Sequence, residues 1–296
     1  MHAALLPDRG VVKVSGNDAR AFLHGLVTAD VSKLAPGEAR FAALLTPQGK
    51  IIADFIITEA VADDGGGFFL DCPRALAPEL AQRLNFYRLR AKVSIEDLSA
   101  SLGVLAAWDG TGTTDCGLLY PDPRLPALGL RCILPPDIAK DAASELGATL
   151  ADASAYEARR IALGIPRGGL DFSYGGAFPH ETDMDQLGGV DFAKGCYVGQ
   201  EVVSRVEHRG TARTRIVPIA YDGFAPEAGT AVMAGDKEVG TLGSSAGGRG
   251  LAMMRLDRVE DALTAGMPLT AGGVPIHPMK PSWARFAFPG EAKTER

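Results

Sequence analysis

Residues 194–201 read K-G-C-Y-V-G-Q-E, a cysteine set between a lysine and an amide–acid pair in a chain with only four cysteines. Such a thiol is a nucleophile, a metal ligand, or a small residue that fits a turn. The thiolate is the reactive form, and a nearby cation lowers a thiol's pKa. If Lys194–Cys196 is extended, residues two apart face the same way, and the Lys194 ammonium would favour a thiolate or a bound anion at Cys196. Free cysteine is also commonly buried and inert, so local chemistry leaves the question open.

Working outward, residues 168–201 are rich in glycine and acids with little apolar periodicity. That texture predicts a long loop, and long structured loops are usually functional. Within it, FPHETDMDQ (178–186) offers His180, Glu181, Asp183 and Asp185. A carboxylate accepts two parallel hydrogen bonds from an amino-substituted ring, which suits a pterin or a purine; the plainer reading is a solvated acidic loop. A nucleophilic pair of Cys196 with His180 or His208 requires a reach that spacing does not show. Upstream, residues 152–166 place Ser154 and Glu157 at capping-box spacing and end in Gly164 and Pro166, which predicts a helix.

The 296 residues, 46% hydrophobic with a net charge of -6, describe a globular protein of two or three modules whose field gathers neither nucleic acid nor anionic membrane. No segment approaches a membrane span, and MHAALLPDRG lacks the pattern of a signal peptide, so a soluble, cytoplasmic monomer is expected. Cys72, Cys116, Cys132 and Cys196 form no C-x-x-C unit, which argues against a disulfide framework and a resident metal site.

From the N-terminus, VVKVS reads as a strand and NDARAFLHGL as a helix capped at Asn17. Residues 42–72 read as a hairpin region, 73–92 as a helix with Leu76, Leu80 and Leu84 on one face, and AKVSIED, LGVLAAW and LGLRCIL as strands. The segment 108–127 reads as a surface loop and 135–147 as a helix stopped by Gly147. Beyond Arg213, short β-like runs with glycine-rich turns predict a small barrel or sandwich, and GEAKTER a disordered tail. GSSAG (243–247) matches a nucleophile elbow in form, but the glycines that follow do not start the helix an elbow needs. The basic clusters FYRLRAK and VVSRVEHRGTARTR suit either the carboxylates of an anionic ligand or a solvated face.

K-G-C-Y-V-G-Q-E, with EARRIALGIP, PHETDMD, FLHGLVTADV, LLTPQGKIIADFII and RLNFYRLRAKVSIED in order, resembles the YgfZ-type folate-binding proteins, bacterial relatives of mitochondrial iron-sulfur assembly factors. The resemblance implies an α+β fold like the glycine-cleavage T-protein, with modules around a central folate-binding hole. Its boundaries are residues 1–41 plus 148–212 for an interrupted N-terminal module, 42–147 for an inserted module, and 213–296 for a β-barrel. It implies tetrahydrofolate as cofactor, with Glu181 as pterin anchor and Asp54, Tyr197, Gln200 and Arg90 around it, and Cys196 with Lys194 as the functional centre. Iron-sulfur client or assembly proteins are the implied partners, among them radical enzymes that modify tRNA. Ala53 stands where the T-protein has the first of two paired acids, which disfavours the alternative of a folate-dependent aminomethyl or methyl transferase. A non-enzymatic scaffold is the other alternative.

Overall fold

The computed structural model describes residues 1–61, 65–210 and 212–291. Part of the predicted DDGGG turn (Asp63, Asp64) and most of the predicted tail lie outside the described residues. The chain divides into two compact units, Met1–Tyr156 with Leu187–Gln200, and Glu157–Gln186 with Glu201–Arg296, where the sequence reading expected three modules.

The first unit opens with β1 (His2–Leu6), β2 (Arg9–Ser15) and α1 (Ala19–His24), followed by β3 (Ala39–Leu45), β4 (Ile51–Glu59) and β5 (Phe68–Pro73). Next come α2 (Ala77–Arg88), β6 (Ser94–Asp97), β7 (Gly103–Trp108), β8 (Leu118–Pro121), β9 (Leu130–Leu134), α3 (Ala139–Glu145) and β10 (Thr149–Leu150). The strands form two sheets, in the orders β3-β4-β5-β2-β6 and β10-β1-β7-β9-β8. Period-two alternation along β4 sends Ala53, Phe55 and Ile57 into an apolar core with Leu23, Leu80 and Leu84 of the helices. Asp54, one residue out of phase, takes the other face of the strand. At position 53, then, an acid would be buried in the core, and alanine fits.

The segment 108–127 is more than a surface loop: it contains β8, and Tyr120 and Asp122 are both buried. Arg131 donates to Asp122 at 2.7 Å, to Asp71 at 2.6 Å and to the Tyr156 hydroxyl at 3.0 Å, while Tyr120 donates to Asp71 at 3.1 Å. This ionic node ties β5 of one sheet to β8 and β9 of the other. Asp and Pro in sequence resemble a turn, and the partners that bury Asp71 lie about 50–60 residues away along the chain.

α4 (Ala153–Ala162) matches the predicted helix, with Gly164 at φ 77 after its end. Its cap differs from the expected box: Asp152 accepts the Ser154 N–H at 2.8 Å, and Glu157 turns instead to Arg160 and Arg167. In the second unit, α5 (Gln200–Arg209) precedes β11 (Thr214–Tyr221), β12 (Ala231–Ala234), β13 (Lys237–Ala246), β14 (Arg249–Arg255), α6 (Leu256–Thr264), β15 (Leu269–Ala271) and β16 (Val274–Pro278). These strands close into a barrel in the order β11-β14-β13-β12-β15-β16. The sequence reading predicted neither α5 nor α6, although Leu256, Val259 and Ala262 bury one helical face of α6. GSSAG lies on β13, where Ser244 donates both its N–H and its hydroxyl to Asp171, and a side chain at Gly243 would collide with that carboxylate. No elbow forms there.

Candidate functional site

The octapeptide begins as a bent loop after Asp191 and ends in the first turn of α5. Asp191 makes the bend: its Oδ1 accepts the N–H of Ala193 at 2.8 Å and of Lys194 at 3.0 Å, an aspartate turn. The N–H of Asp191 donates to the Thr28 carbonyl at 2.9 Å, and the Thr28 hydroxyl donates to the Gly189 carbonyl at 2.6 Å. Thus the loop is stitched to the chain that follows α1.

Lys194 completes the seam. Its ammonium has three N–H donors, and they reach the carbonyls of His24 at 2.7 Å, Val27 at 2.6 Å and Ala29 at 2.9 Å. The Tyr197 ring centroid lies 5.1 Å from the same nitrogen. Burial pulls the Lys194 pKa down to about 8 against the opposing charges of Asp30 and Asp191, and burial pushes the Tyr197 phenol up to about 12.

Lys194 and Tyr197 are buried, whereas Gly195 and Cys196 between them are exposed. The expected common face for Lys194 and Cys196 is therefore absent, because the Asp191 bend turns the ammonium inward while the thiol stays in solvent. A Cβ on Gly195 would meet nothing within 4 Å. Gly199 is the opposite case: it has φ 83, and a Cβ there would lie 2.5 Å from the Thr46 carbonyl in the β3–β4 turn. Of the four cysteines, Cys196 is exposed, Cys116 half-buried, and Cys72 and Cys132 buried. Burial raises both Cys72 and Cys132 to about 12.

The second loop lies in the other unit. Its turns include Met184 N–H to the Pro179 carbonyl at 2.9 Å and Glu181 N–H to Phe178 at 3.0 Å. Half-buried Glu181 returns one carboxylate oxygen to the Phe178 N–H at 2.8 Å, which fixes its orientation. Arg215 from β11 clamps the loop, donating to the His180 carbonyl at 2.7 Å and bidentately to Asp185 at 2.6 and 3.0 Å. Buried Asp183 sits 3.3 Å from the same guanidinium, yet burial and Asp185 raise its carboxyl well above the usual range despite Arg215. The carboxylates that VVSRVEHRGTARTR was expected to meet in a ligand are, for Arg215, the protein's own.

His180, Asp185 and Glu207 place potential metal-ligand atoms within 4.8 Å of one another. Asp185 is already neutralised by Arg215, and Glu207 accepts from or pairs with His180 Nε2 at 3.0 Å. A guanidinium in the ligand set repels a cation, so the trio reads as an ion-pair cluster. The same pairing engages Nε2 of His180. Of the other expected residues, Asp54 is buried, Arg90 is exposed just beyond α2, and Gln200 opens α5 half-buried. The sequence reading missed Asp191, Thr28 and the clamping role of Arg215; the D-F-A-K spacing of an aspartate turn was the available signal for the first.

The GCVT N-terminal domain family matches residues 8–108 and the CAF17 C-terminal beta-barrel domain family matches residues 213–286. The iron-sulfur cluster assembly factor IBA57 homolog, mitochondrial, of Mycosarcoma maydis is 37% identical over 74% of this chain and 57% of its own length. Its namesake in Pyricularia oryzae is 33% identical over 90% of this chain and 75% of its own length, and human IBA57 is 29% identical over 87% and 78%. The aminomethyltransferase T of the glycine cleavage system from Bartonella henselae superposes with a TM-score of 0.70 over 97% of this chain and 88% of that one, at 15% identity, which shows the T-protein fold. The expected resemblance was to the YgfZ-type branch; the relatives found belong to a related, distinct branch. Their names are mitochondrial, which overturns the cytoplasmic expectation. Among the described residues no helix is long and apolar enough to cross a membrane.

Proposed function

Because the chain belongs to the IBA57 family, whose members are named iron-sulfur cluster assembly factors, we propose that it assists assembly or repair of 4Fe-4S clusters in client enzymes through the Cys196 thiol. The observation that carries this reading is the exposure of Cys196 on a loop whose neighbours in sequence are tied down. A thiolate binds iron or sulfur, and a 4Fe-4S cluster usually takes four cysteine ligands. One exposed cysteine supplies one of them, so a partner protein must supply the rest. Such a thiol suits transient contact with a cluster, and radical enzymes that modify tRNA are among the clients it would serve.

Tetrahydrofolate is the proposed cofactor. Glu181 fits a pterin in chemistry: it is half-buried, the bond from Phe178 N–H fixes its carboxylate, and a carboxylate accepts two parallel hydrogen bonds from an amino-substituted ring. Tyr197, Gln200, Arg90 and Asp54 are the further residues proposed for folate binding, each to be tested by its own alanine variant in the same titration. Aminomethyl transfer is disfavoured by Ala53, an apolar core residue where the resemblance puts the first of two paired acids.

The reading is tested by complementing cells that lack the chain and assaying their 4Fe-4S enzymes. Cys196→Ser is expected to abolish maturation and Cys116→Ser to preserve it; equal activity of the two would favour a scaffold that needs no thiol. Calorimetric titration with tetrahydrofolate under anaerobic reducing conditions tests the cofactor. Saturable binding is expected for wild type and not for Glu181→Ala, and absence of wild-type binding removes folate from the reading.

A further inference from the structure

The lysine of the octapeptide has no obvious chemical task once its donors are counted. All three N–H groups of Lys194 are spent on the carbonyls of His24, Val27 and Ala29, and the side chain is buried while Cys196 is exposed. None of its three donors is therefore left to hydrogen-bond the thiol. What the ammonium does instead is join two segments about 165 to 170 residues apart in sequence, at the point where the thiol leaves the surface. Asp191 works on the same turn from the other side, through the N–H groups of Ala193 and Lys194.

We propose that Lys194 is a positioning residue: its ammonium, seated in the three-carbonyl cage after α1, holds the loop so that Cys196 is presented outward in one orientation. This rests on the reading of Cys196 as the thiol that meets the cluster. The partner it serves is a macromolecule, since an iron-sulfur protein docking over Gly195 and Cys196 must meet the thiol in a fixed place, whereas a small reagent needs only exposure. Positioning groups of this kind matter because small misplacement of a reacting atom is costly even when its chemistry is intact.

The test uses the full chain with Lys194→Met and Asp191→Ala, each read in two ways. Alkylation of Cys196 by iodoacetamide, followed by peptide mass spectrometry across pH, is expected to keep the wild-type pH profile with rates within about twofold. Maturation of 4Fe-4S enzymes in complemented cells is expected to fall about tenfold for both variants, and Asp191→Asn, which keeps the accepting oxygen, restores it. A lysine that only stabilised the fold would lower the melting temperature and leave maturation by the folded protein unchanged, which overturns the proposal. A shift of the alkylation profile to higher pH in Lys194→Met, with Asp191→Ala unaffected, also overturns it and returns the ammonium to the thiol. Should Lys194→Met not fold, Asp191→Ala and Asp191→Asn carry the same comparison. If Cys196→Ser also supports maturation, the underlying reading has failed, and the proposal falls with it in a recognisable way.

Discussion

The Cys196 loop and the Glu181 loop are both held by a buried cation bound to backbone carbonyls, but the two cations differ in what else they touch. Arg215 also pairs with Asp185 and approaches Asp183, so its charge is largely cancelled within its own cluster. The Lys194 ammonium has three neutral carbonyls and an aromatic ring as its close partners, with Asp30 and Asp191 acting on that ammonium through charge. Planar, forked guanidinium suits carboxylates; the compact ammonium suits a cage of three oxygens. The first arrangement is strong where it is complete and costly when broken. The second is a lighter fastening that leaves the neighbouring thiol in solvent.

The comparison breaks most visibly when each cation is removed. Arg215→Met would leave the Asp185 carboxylate without its bidentate cation, at a cost of about 3–5 kcal/mol, whereas Lys194→Met strands only carbonyls and costs about 1–3 kcal/mol. Urea unfolding of the two variants checks the order, and equal losses would show that the ion pairs add nothing beyond hydrogen bonding. A smaller contrast lies within the octapeptide. Gly199→Ala, forced to positive φ against the Thr46 carbonyl, is expected to lose about 1–3 kcal/mol, while Gly195→Ala keeps the wild-type unfolding midpoint and, by standing beside Cys196, reduces client maturation.

The pH dependence sharpens the comparison most finely, because the two loops titrate with opposite slopes. Burial lowers Lys194 from 10.5 to about 8, so between those values the folded state releases its proton before the unfolded chain does. Stability then rises with pH across that window, and Lys194→Met removes the rise. Burial raises the carboxyl of Asp183, so the folded state holds its proton as pH climbs above about 4, where an unfolded aspartate has lost it. That contribution is full below the unfolded value and is lost as pH rises through the raised one, and Asp183→Asn abolishes the loss. Unfolding midpoints measured at several pH values for both variants test each sign.

Local patterns made much of the fold legible. Short apolar runs marked β4 and β7, glycine at positive φ marked the ends of α3 and α4, and the short β-like runs after Arg213 marked the barrel. What stayed hidden was whatever depended on a distant partner. Asp122 and Tyr120 looked like a turn because Asp71 and Arg131 were out of view, and α5, with Val203 as its buried residue, had too narrow an apolar face to stand out.

The candidate site divides the same way. Sequence alone determined which side chains to watch, Cys196, Lys194 and Glu181 among them, because residue type sets what a thiol, an ammonium or a carboxylate is able to do. Only the tertiary structure decided where each one points. Hydrogen-bond donors take the nearest buried acceptors they are offered, and those on residues 24–29 reach Lys194 only after the chain has folded back across more than 160 positions. That return leaves the ammonium inside and Cys196 in solvent.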